Sequence, residues 1–273
     1  VVVEEGVSVD GFLVFNDYQG DSSVVTLDLT MEGGSSILGN VRLTTVEAKD
    51  QYGNPLDQNY FDQLVINSQI GTADPIHNAV NIITGDIDPT PSPIGGGGPL
   101  GTALENNLLD VTINAEADFQ LFGEIVFNSV DEVKDHVTVP VGLDDAVLVV
   151  NGTGDVTLGT VDGKGGKSAG IDTTDEDLDS LTVTNNSTGL LTIVLDDDAV
   201  AVGDENITMT GNTGGIYLYI KEGEVVDLSD ATLSGITGIG ICDGGCLILS
   251  QAQVADIGLG NITTDGAADL KIV

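Results

Sequence analysis

Short apolar runs that alternate with polar residues recur along the whole chain. The runs are rich in Val, Ile, Leu and Thr, and most of them are bounded by Gly, Asn or Asp. Alternation with a period of two places the apolar side chains on one face of a β-strand. The pattern therefore predicts an all-β protein, with helical periodicity confined to two short stretches that could equally be loops. The predicted strands include 7–15, 23–31, 41–48, 110–115, 119–127, 180–184, 190–195, 215–220 and 246–249, and the helical candidates are 59–65 and 102–109.

One segment, residues 89–101, interrupts the strand pattern because it combines prolines with a run of glycines. Proline has no N–H to donate to a ladder, so no central strand can run through this segment. It is predicted to be either a linker between two domains or a long loop within one. Taken as a boundary, it separates a β-sandwich-like domain at 1–88 from a repeat-like β domain at 102–273, the latter a β-solenoid or an elongated β-sandwich.

The second part contains internal repeats that favour such an architecture. One motif, Leu-Asp-Asp followed closely by Ala-Val, begins at Leu143 and again at Leu195. A second motif, Asn-Ile-Thr, begins at Asn206 and again at Asn261. Both patterns recur after about fifty residues, with several short strands between the marks. Regularly spaced strands of this kind stack as the coils of a solenoid or pair as a sandwich.

Two stretches of the second part, VDLSDATLSGI at 226–236 and LILSQAQV at 247–254, carry a resemblance to known proteins. With its surroundings from 143 to 273, this region resembles the degenerate repeats of bacterial surface-layer proteins and of large secreted adhesins of the RTX type. The resemblance implies a parallel β-solenoid and a role in cell coats or adhesion. The chain departs from these families in lacking the order Gly-Gly-x-Gly-x-Asp of their calcium-binding repeat.

A second resemblance lies in the first part of the chain. Residues 50–56 resemble a turn of bacterial immunoglobulin-like extracellular domains, which implies the sandwich-like fold there.

The charge of the chain narrows the choice of partners. Its 44 acidic residues face only 7 basic ones, which gives a net charge of −37. Such a polyanion repels nucleic-acid phosphates and anionic lipid surfaces, so neither nucleic acid nor direct membrane insertion is predicted. With 41% hydrophobic residues the chain has enough apolar surface to fold. Close packing of copies requires high salt or divalent cations, conditions that occur outside cells.

Clustered carboxylates are the candidate sites for such cations. Calcium takes six to eight oxygen ligands, and backbone carbonyls at glycine-rich turns can complete a set that carboxylates begin. We therefore predict calcium or another divalent cation as a cofactor, with solvated acidic loops as the alternative reading of the same clusters. The candidate ligands are Asp172, Asp175, Asp177, Asp196, Asp197, Asp198, Asp204 and Glu205.

Two further kinds of covalent chemistry are suggested by short motifs. Cys242 and Cys246 enclose Asp-Gly-Gly, and they are predicted either to close a tight disulfide or to remain reduced, half-buried thiols. The triplet Asn-x-Ser/Thr predicts N-glycosylation where the source cell performs it. The candidate acceptors are Asn151, Asn185, Asn186, Asn206 and Asn261.

Catalysis has little support in the sequence. No Gly-x-Ser-x-Gly, phosphate-binding loop or His-Glu-x-x-His occurs, and the two histidines are isolated. Paired acids suggest glycoside hydrolysis, but sugar-cleaving sites usually offer aromatic platforms, and the chain has no Trp. Tyr217 and Tyr219 form an aromatic pair on one strand, where the simpler interpretation is two neighbours covering a sheet.

These observations predict a non-enzymatic, extracellular structural protein. The chain opens on Val1 without Met or an apolar leader, which predicts a secreted and processed protein at the cell surface. Strand-like apolar segments at both ends predict pairing between subunits, so that copies assemble into a surface layer, sheath or filament with cations bridging acidic faces. The alternative is a monomeric adhesin that binds cell-surface glycans or proteins, and a more distant one is a β-helix enzyme acting on polysaccharides.

Overall fold

The protein, seen in a computed structural model, winds into a β-solenoid. The structure describes residues 1–11, 13–17, 25–46, 61–70, 80–88, 103–104, 108–127, 132–134, 137–139, 144–162, 165–174, 178–203 and 206–273. Within these ranges nine coils stack along one axis. The all-β prediction is therefore confirmed.

Each coil is a series of short strands joined by tight turns. The first four coils contain β1 (Val2–Val3), β2 (Ser8–Asp10), β3 (Leu13–Asp17), β4 (Val25–Glu32), β5 (Ser36–Leu38), β6 (Val41–Val46), β7 (Phe61–Gln69), β8 (Asn81–Ile83), β9 (Ile87–Asp88), β10 (Ala103–Leu104), β11 (Asp110–Ala115), β12 (Phe119–Leu121) and β13 (Ile125–Val126). A hairpin of β14 (Glu132–Lys134) and β15 (Val137–Val139) leads to the fifth coil.

The later coils follow the same plan. They contain β16 (Asp144–Gly152), β17 (Val156–Leu158), the hairpin β18 (Thr160–Asp162) and β19 (Gly165–Ser168), β20 (Ile171–Asp172), β21 (Leu178–Asn185), β22 (Leu191–Leu195), a 3-10 helix (Asp198–Val200), β23 (Ile207–Gly211), β24 (Ile216–Ile220), β25 (Val225–Asp227), β26 (Thr232–Ser234), β27 (Ile236–Ile241), β28 (Cys246–Leu249), α1 (Gln251–Ile257), a second 3-10 helix (Leu259–Asn261), β29 (Ile262–Thr264) and β30 (Asp269–Ile272).

Three faces run along the solenoid, each made by one strand of successive coils. Sheet A contains β1, β4, β7, β11, β16, β21, β23 and β26, and sheet B contains β2, β5, β8, β12, β17, β22, β24, β27 and β29. The third face consists of two sheets, one with β3, β6, β9, β13 and β20 and one with β25, β28 and β30. Among the described strands, every pairing between these members of successive coils is parallel, whereas β10 pairs antiparallel with β6.

The core is a column of stacked apolar rows. In sheet A, Leu64 lies opposite Val111, Val111 opposite Leu148, and Leu148 opposite Val183, and all four side chains are buried. Each strand gives alternate residues to this interior, so period-two patterning is what lets every coil bury its share of apolar surface. Burial of that surface is the main favourable term in folding.

The first ninety residues do not form the separate sandwich that the sequence predicts. Strand β4 pairs with β7, and β7 pairs in parallel with β11, so one sheet runs across both parts of the chain. Alternation alone cannot distinguish the two architectures, since a sandwich strand and a solenoid strand have the same period and differ only in their partners. The segment 89–101 itself lies outside the described residues.

Helix α1 was not predicted, although a capping box marks its start. The Ser250 Oγ accepts from the Gln253 N–H at 3.4 Å, and the Gln253 Oε1 accepts from the Ser250 N–H at 2.8 Å. The helix follows β28, where earlier coils place a strand of sheet A. By contrast, β7 occupies most of the helical candidate at 59–65, and β10 begins the one at 102–109. Within the described ranges no helix is long and apolar enough to span a membrane.

Candidate functional site

A short turn recurs at the corner between sheet B and the third face. Gly39-Asn40, Gly85-Asp86 and Gly123-Glu124 each join a strand of sheet B to a strand of the third face. The glycine is required because the coils stack closely there: a Cβ on Gly85 would lie 2.6 Å from the backbone N of Asn40. The polar residue after each glycine therefore stands directly beside its counterpart in the next coil.

Hydrogen bonds connect these stacked polar residues. The Asn40 Nδ2 donates to the Asp86 Oδ2 at 3.2 Å, and the Glu124 N–H donates to the Asp86 Oδ1 at 3.2 Å. The carboxylate of Asp86 thus connects the second, third and fourth coils. The same corner continues into later coils, where more acids collect.

A partly buried ion pair lies at the centre of these acids. Asp196 follows β22 and is 1% exposed, and its Oδ2 lies 2.7 Å from the Nζ of Lys221, which follows β24. The Asp196 Oδ1 accepts from the Ala199 N–H at 3.2 Å, so both carboxylate oxygens have a partner. Burial by itself lowers the pKa of Lys221, but the hydrogen bond and the charge of Asp196 outweigh it and raise the pKa.

Exposed carboxylates surround this ion pair. One oxygen each of Asp196, Asp197 and Asp198 lies within 4.8 Å of the others. Partial burial, followed by the charges of Asp196 and Asp197, raises the pKa of Asp198. Burial and a hydrogen bond to Asp197 likewise raise the pKa of Glu224. We call Asp86, Glu124, Asp172, Asp196, Asp197, Asp198, Lys221 and Glu224 the acidic corner.

Glu124 is the member of the acidic corner with the largest perturbation. Burial, followed by the charges of Asp196, Asp172 and Asp86, raises the pKa of Glu124 from 4.5 to about 7. Repulsion among acids that a single lysine cannot neutralise favours the protonated form. A divalent cation would relieve the same repulsion, and carboxylate oxygens are the ligands that calcium prefers.

The sequence identified half of the acidic corner. Asp172, Asp196, Asp197 and Asp198 were among the candidate ligands, whereas Asp86, Glu124, Lys221 and Glu224 were not. The missed signal was the apolar-x-Gly-polar-apolar pattern at 37–41, 83–87 and 121–125, which marks successive coils. The remaining candidates, Asp175, Asp177, Asp204 and Glu205, lie outside the described residues.

The two cysteines are buried thiols and do not form a disulfide. Cys242 follows β27 of sheet B, whereas Cys246 opens β28 of the third face. The turn between them is closed by the backbone, since the Gly245 N–H donates to the Cys242 carbonyl at 2.9 Å. The turns of the coils before and after it close in the same way, with the Glu224 N–H donating to the Lys221 carbonyl at 3.3 Å and the Ala268 N–H to the Asp265 carbonyl at 3.1 Å.

Two predicted glycosylation sites belong to a ladder of asparagines at the end of sheet A. Along the ladder each amide nitrogen donates to the side-chain oxygen of the preceding coil, at 2.9, 3.1, 3.3 and 2.8 Å. Its members, in order, are Asn67, Asn114, Asn151, Asn186 and Asn212. A glycan on Asn151 or Asn186 would replace one of the two amide hydrogens, and the ladder already uses one of them.

The other three sequons differ in exposure. Asn185 is fully buried and donates to the carbonyls of Gly189 and Gly215 at 3.0 and 2.7 Å, which leaves no room for a glycan in the folded chain. Asn206 and Asn261 are exposed. Their side chains donate to the backbone carbonyls four residues earlier, at 2.9 and 2.7 Å.

Comparison with known proteins gave no match: no family model, no curated protein and no solved structure is significantly similar to this chain.

Raising the pH is expected to destabilise the chain through Glu124. Because its pKa is about 7 in the folded chain and 4.5 ordinarily, the folded state binds the proton more tightly. The contribution of Glu124 to the free energy of unfolding is therefore most favourable below pH 4.5. It falls as the pH rises towards 7 and changes little above that pH. Glu124→Gln should shrink the difference between the urea midpoints at about pH 5 and about pH 8.

The exposed acid Glu116 provides the control for this experiment. Glu116→Gln removes one negative charge as well, but outside the acidic corner, and should leave the pH dependence close to that of the unmodified chain. Part of the pH dependence of stability should remain in Glu124→Gln, because the pKa values of Asp198 and Glu224 are also raised. Identical pH profiles for Glu124→Gln and Glu116→Gln would contradict the assignment.

Proposed function

We propose that this protein is a structural subunit of an extracellular assembly, a surface layer, sheath or filament. Copies would stack end to end through the edge strands of their solenoids, and divalent cations would bridge their acidic surfaces. The observation that carries the proposal is the parallel stacking of the coils, in which each coil is a template for the next: among the described strands, β29 and β30 each have a ladder partner on one side only.

The edge of β30 is suited to adding another strand. The N–H groups of Asp269 and Val273 donate to the carbonyls of Gly245 and Leu249 in the preceding coil. Because successive residues of a strand point their N–H groups to opposite sides, those of Leu270 and Ile272 face away from the solenoid. Ile272 is 50% exposed, so an apolar side chain accompanies this edge.

The first coil offers the complementary edge. In a head-to-tail stack, β29 and β30 would face β2 and β3, the first-coil strands of the same faces, each of which has one ladder partner among the described strands. Val7, directly before β2, is 43% exposed. The two edges belong to opposite ends of the solenoid, so their pairing is head to tail and does not close on itself. Contacts of that type generate filaments, and strand addition is a common mode of protein association.

Divalent cations are part of the proposal because the chain has a large net negative charge. Copies with a net charge of −37 repel one another unless that charge is screened or bridged. The acidic corner gathers carboxylates on one corner of every copy, and a divalent ion shared there would reduce the repulsion within and between copies. The proposed role is therefore structural and includes no catalytic step.

Filaments or ordered sheets are expected when the purified chain is imaged by electron microscopy in millimolar calcium. Removal of calcium with a chelator at low salt should disperse them, because the uncompensated charges then repel. If the assemblies persist after the chelator is added, divalent cations are not required for assembly and that part of the proposal is wrong. Dispersed rods under both conditions would favour the alternative of a monomeric adhesin.

A single edge residue separates strand pairing from other modes of assembly. Ile272→Pro removes an N–H that points away from the solenoid and leaves the donors of Asp269 and Val273 intact; proline is tolerated at such an edge position. Ile272→Thr retains the N–H and serves as the matched control. Filaments are expected for Ile272→Thr and not for Ile272→Pro. If both variants form filaments, the edge of β30 is not the contact.

A further inference from the structure

Two tyrosines stand side by side on the outer face of sheet B. In β24 the side chains of Ile216, Leu218 and Ile220 are buried, while those of Tyr217 and Tyr219 face outward and are half-buried. The two ring centroids are 4.9 Å apart and the ring planes are inclined by 44°. The pair therefore forms a shallow aromatic surface.

The neighbouring strand makes room for these rings. Gly238 and Gly240 of β27 lie opposite Tyr217 and Tyr219, and both glycines are buried although they are on the outer face. A Cβ on Gly238 would be 2.6 Å from the Tyr217 Cε2, and one on Gly240 would be 2.7 Å from the Tyr219 Cε1. Each ring thus lies against glycine backbone and keeps part of its surface exposed.

Threonines stand on both sides of this surface, although the residue opposite Tyr219 on β22 is the buried Val194. On one side, Thr192 of β22 lies opposite Tyr217. On the other side, beyond the glycines, Thr263 of β29 lies opposite Gly240. Hydroxyl groups at the borders of an aromatic surface are the combination that a sugar ring requires, with an apolar C–H face and a polar rim.

We propose that Tyr217 and Tyr219 form a binding surface for a neutral pyranose sugar, as found in uncharged cell-surface or matrix glycans. The C–H face of the sugar stacks on the exposed ring faces, and its hydroxyls reach the flanking threonines. The net charge of −37 repels acidic saccharides, which restricts the ligand to neutral ones. This surface lies outside the acidic corner and the edge of β30, so it is independent of the proposed assembly.

A purely structural role for the rings must be separated from binding. Aromatic side chains that cover glycines stabilise a sheet whether or not a ligand binds. Tyr217→Val keeps a β-branched cover over Gly238 but removes the ring. Gly238→Ala keeps both tyrosines but forces the Tyr217 ring away from the backbone. Thr157→Val, an outward position of β17 in the same sheet, is the control.

The test is a titration of the full chain with neutral hexasaccharides of glucose, mannose, galactose and N-acetylglucosamine, and with hexagalacturonate as the acidic counterpart. Tyrosine fluorescence reports binding, since the chain has no Trp and 5 Tyr. At least one neutral hexasaccharide should bind, and its Kd should rise about tenfold in Tyr217→Val and in Gly238→Ala but not in Thr157→Val. Melting temperatures confirm that the variants fold.

Three results would overturn the proposal. One is the absence of binding by every neutral hexasaccharide at up to about 10 mM. Another is a Kd that is the same in Tyr217→Val and in the unmodified chain. The third is a preference for hexagalacturonate over the neutral sugars at low salt.

Discussion

Replacing Asn81 with alanine is expected to lower the free energy of unfolding by about 3 to 4 kcal/mol. The Asn81 side chain is fully buried, and its Oδ1 accepts from the N–H and the Oγ of Ser35 at 3.1 and 3.2 Å. Its Nδ2 donates to the Met31 carbonyl at 3.1 Å and to the Ser68 Oγ at 2.9 Å. Alanine would remove one partner from each of these groups, although the Ser35 N–H also donates to the Glu32 carbonyl and the Ser68 Oγ to the Ala117 carbonyl, both at 3.0 Å.

The size of the effect follows from the position of Asn81 between coils. Ser35 belongs to the second coil, and Asn81 and Ser68 belong to the third. Loss of one partner in a buried network costs the desolvation of the groups left behind, which exceeds the net value of an ordinary hydrogen bond. We expect the amide of Ser35 to exchange with solvent faster in Asn81→Ala, in addition to a lower urea midpoint.

The exposed Asn206 offers a matched control. Among the residues that the structure describes, its side chain has one hydrogen-bond partner, the Val202 carbonyl, so Asn206→Ala should change the stability by no more than about 1 kcal/mol. The two substitutions remove the same atoms and differ in burial and in the number of partners. Equal effects would mean that the buried network contributes nothing beyond a surface contact.

Replacing Lys221 with methionine is expected to destabilise the chain by about 2 kcal/mol near neutral pH, less than for a fully buried pair because the Lys221 side chain is 26% exposed. Lys221 compensates the buried carboxylate of Asp196 across 2.7 Å. Without the ammonium group, that charge remains buried beside Glu124 and Asp172, whose own charges repel it. Breaking a buried ion pair by removing one partner is costly for this reason.

Three comparisons test this explanation of Lys221→Met. The defect should shrink towards about pH 5, where protonation of Glu124, whose pKa is about 7, removes one of the charges that repel Asp196. Lys271→Met removes an exposed lysine of β30 and should cost less than about 1 kcal/mol. If the acidic corner binds calcium, added calcium should raise the unfolding midpoint of Lys221→Met more than that of Lys271→Met. Equal destabilisation by the two substitutions would show that Asp196 does not depend on its lysine.

The strands were largely readable from the sequence because their pattern is local. Leu181 and Val183 alternate with Thr182 and Thr184, and the structure buries the first pair and leaves the second half-buried on the outer face. This alternation is a property of one strand and needs no knowledge of its neighbours. The helix α1 could also have been read, because Ser250 and Gln253 stand at capping-box spacing.

The candidate site was only partly readable because its members are distant in sequence. Asp196, Asp197 and Asp198 attract attention as a run, whereas Glu124 is a single acid after a glycine. Only the stacking of coils places Glu124 near Asp86, Asp172 and Asp196. The sequons show the same limit, since a local triplet does not reveal that Asn185 is buried or that Asn186 bonds to Asn151.

Local patterning and composition were enough to predict the β class, the inward and outward faces of most strands, and the excess of negative charge. The choice of partner strands could be seen only in the folded chain, and with it the single run of coils, the asparagine ladder, the pairing of Lys221 with Asp196 and the tyrosines over glycine. Alternation depends on the backbone of one strand, whereas these contacts depend on the register between coils. That register is set by turn geometry and by the joint packing of all the interior rows.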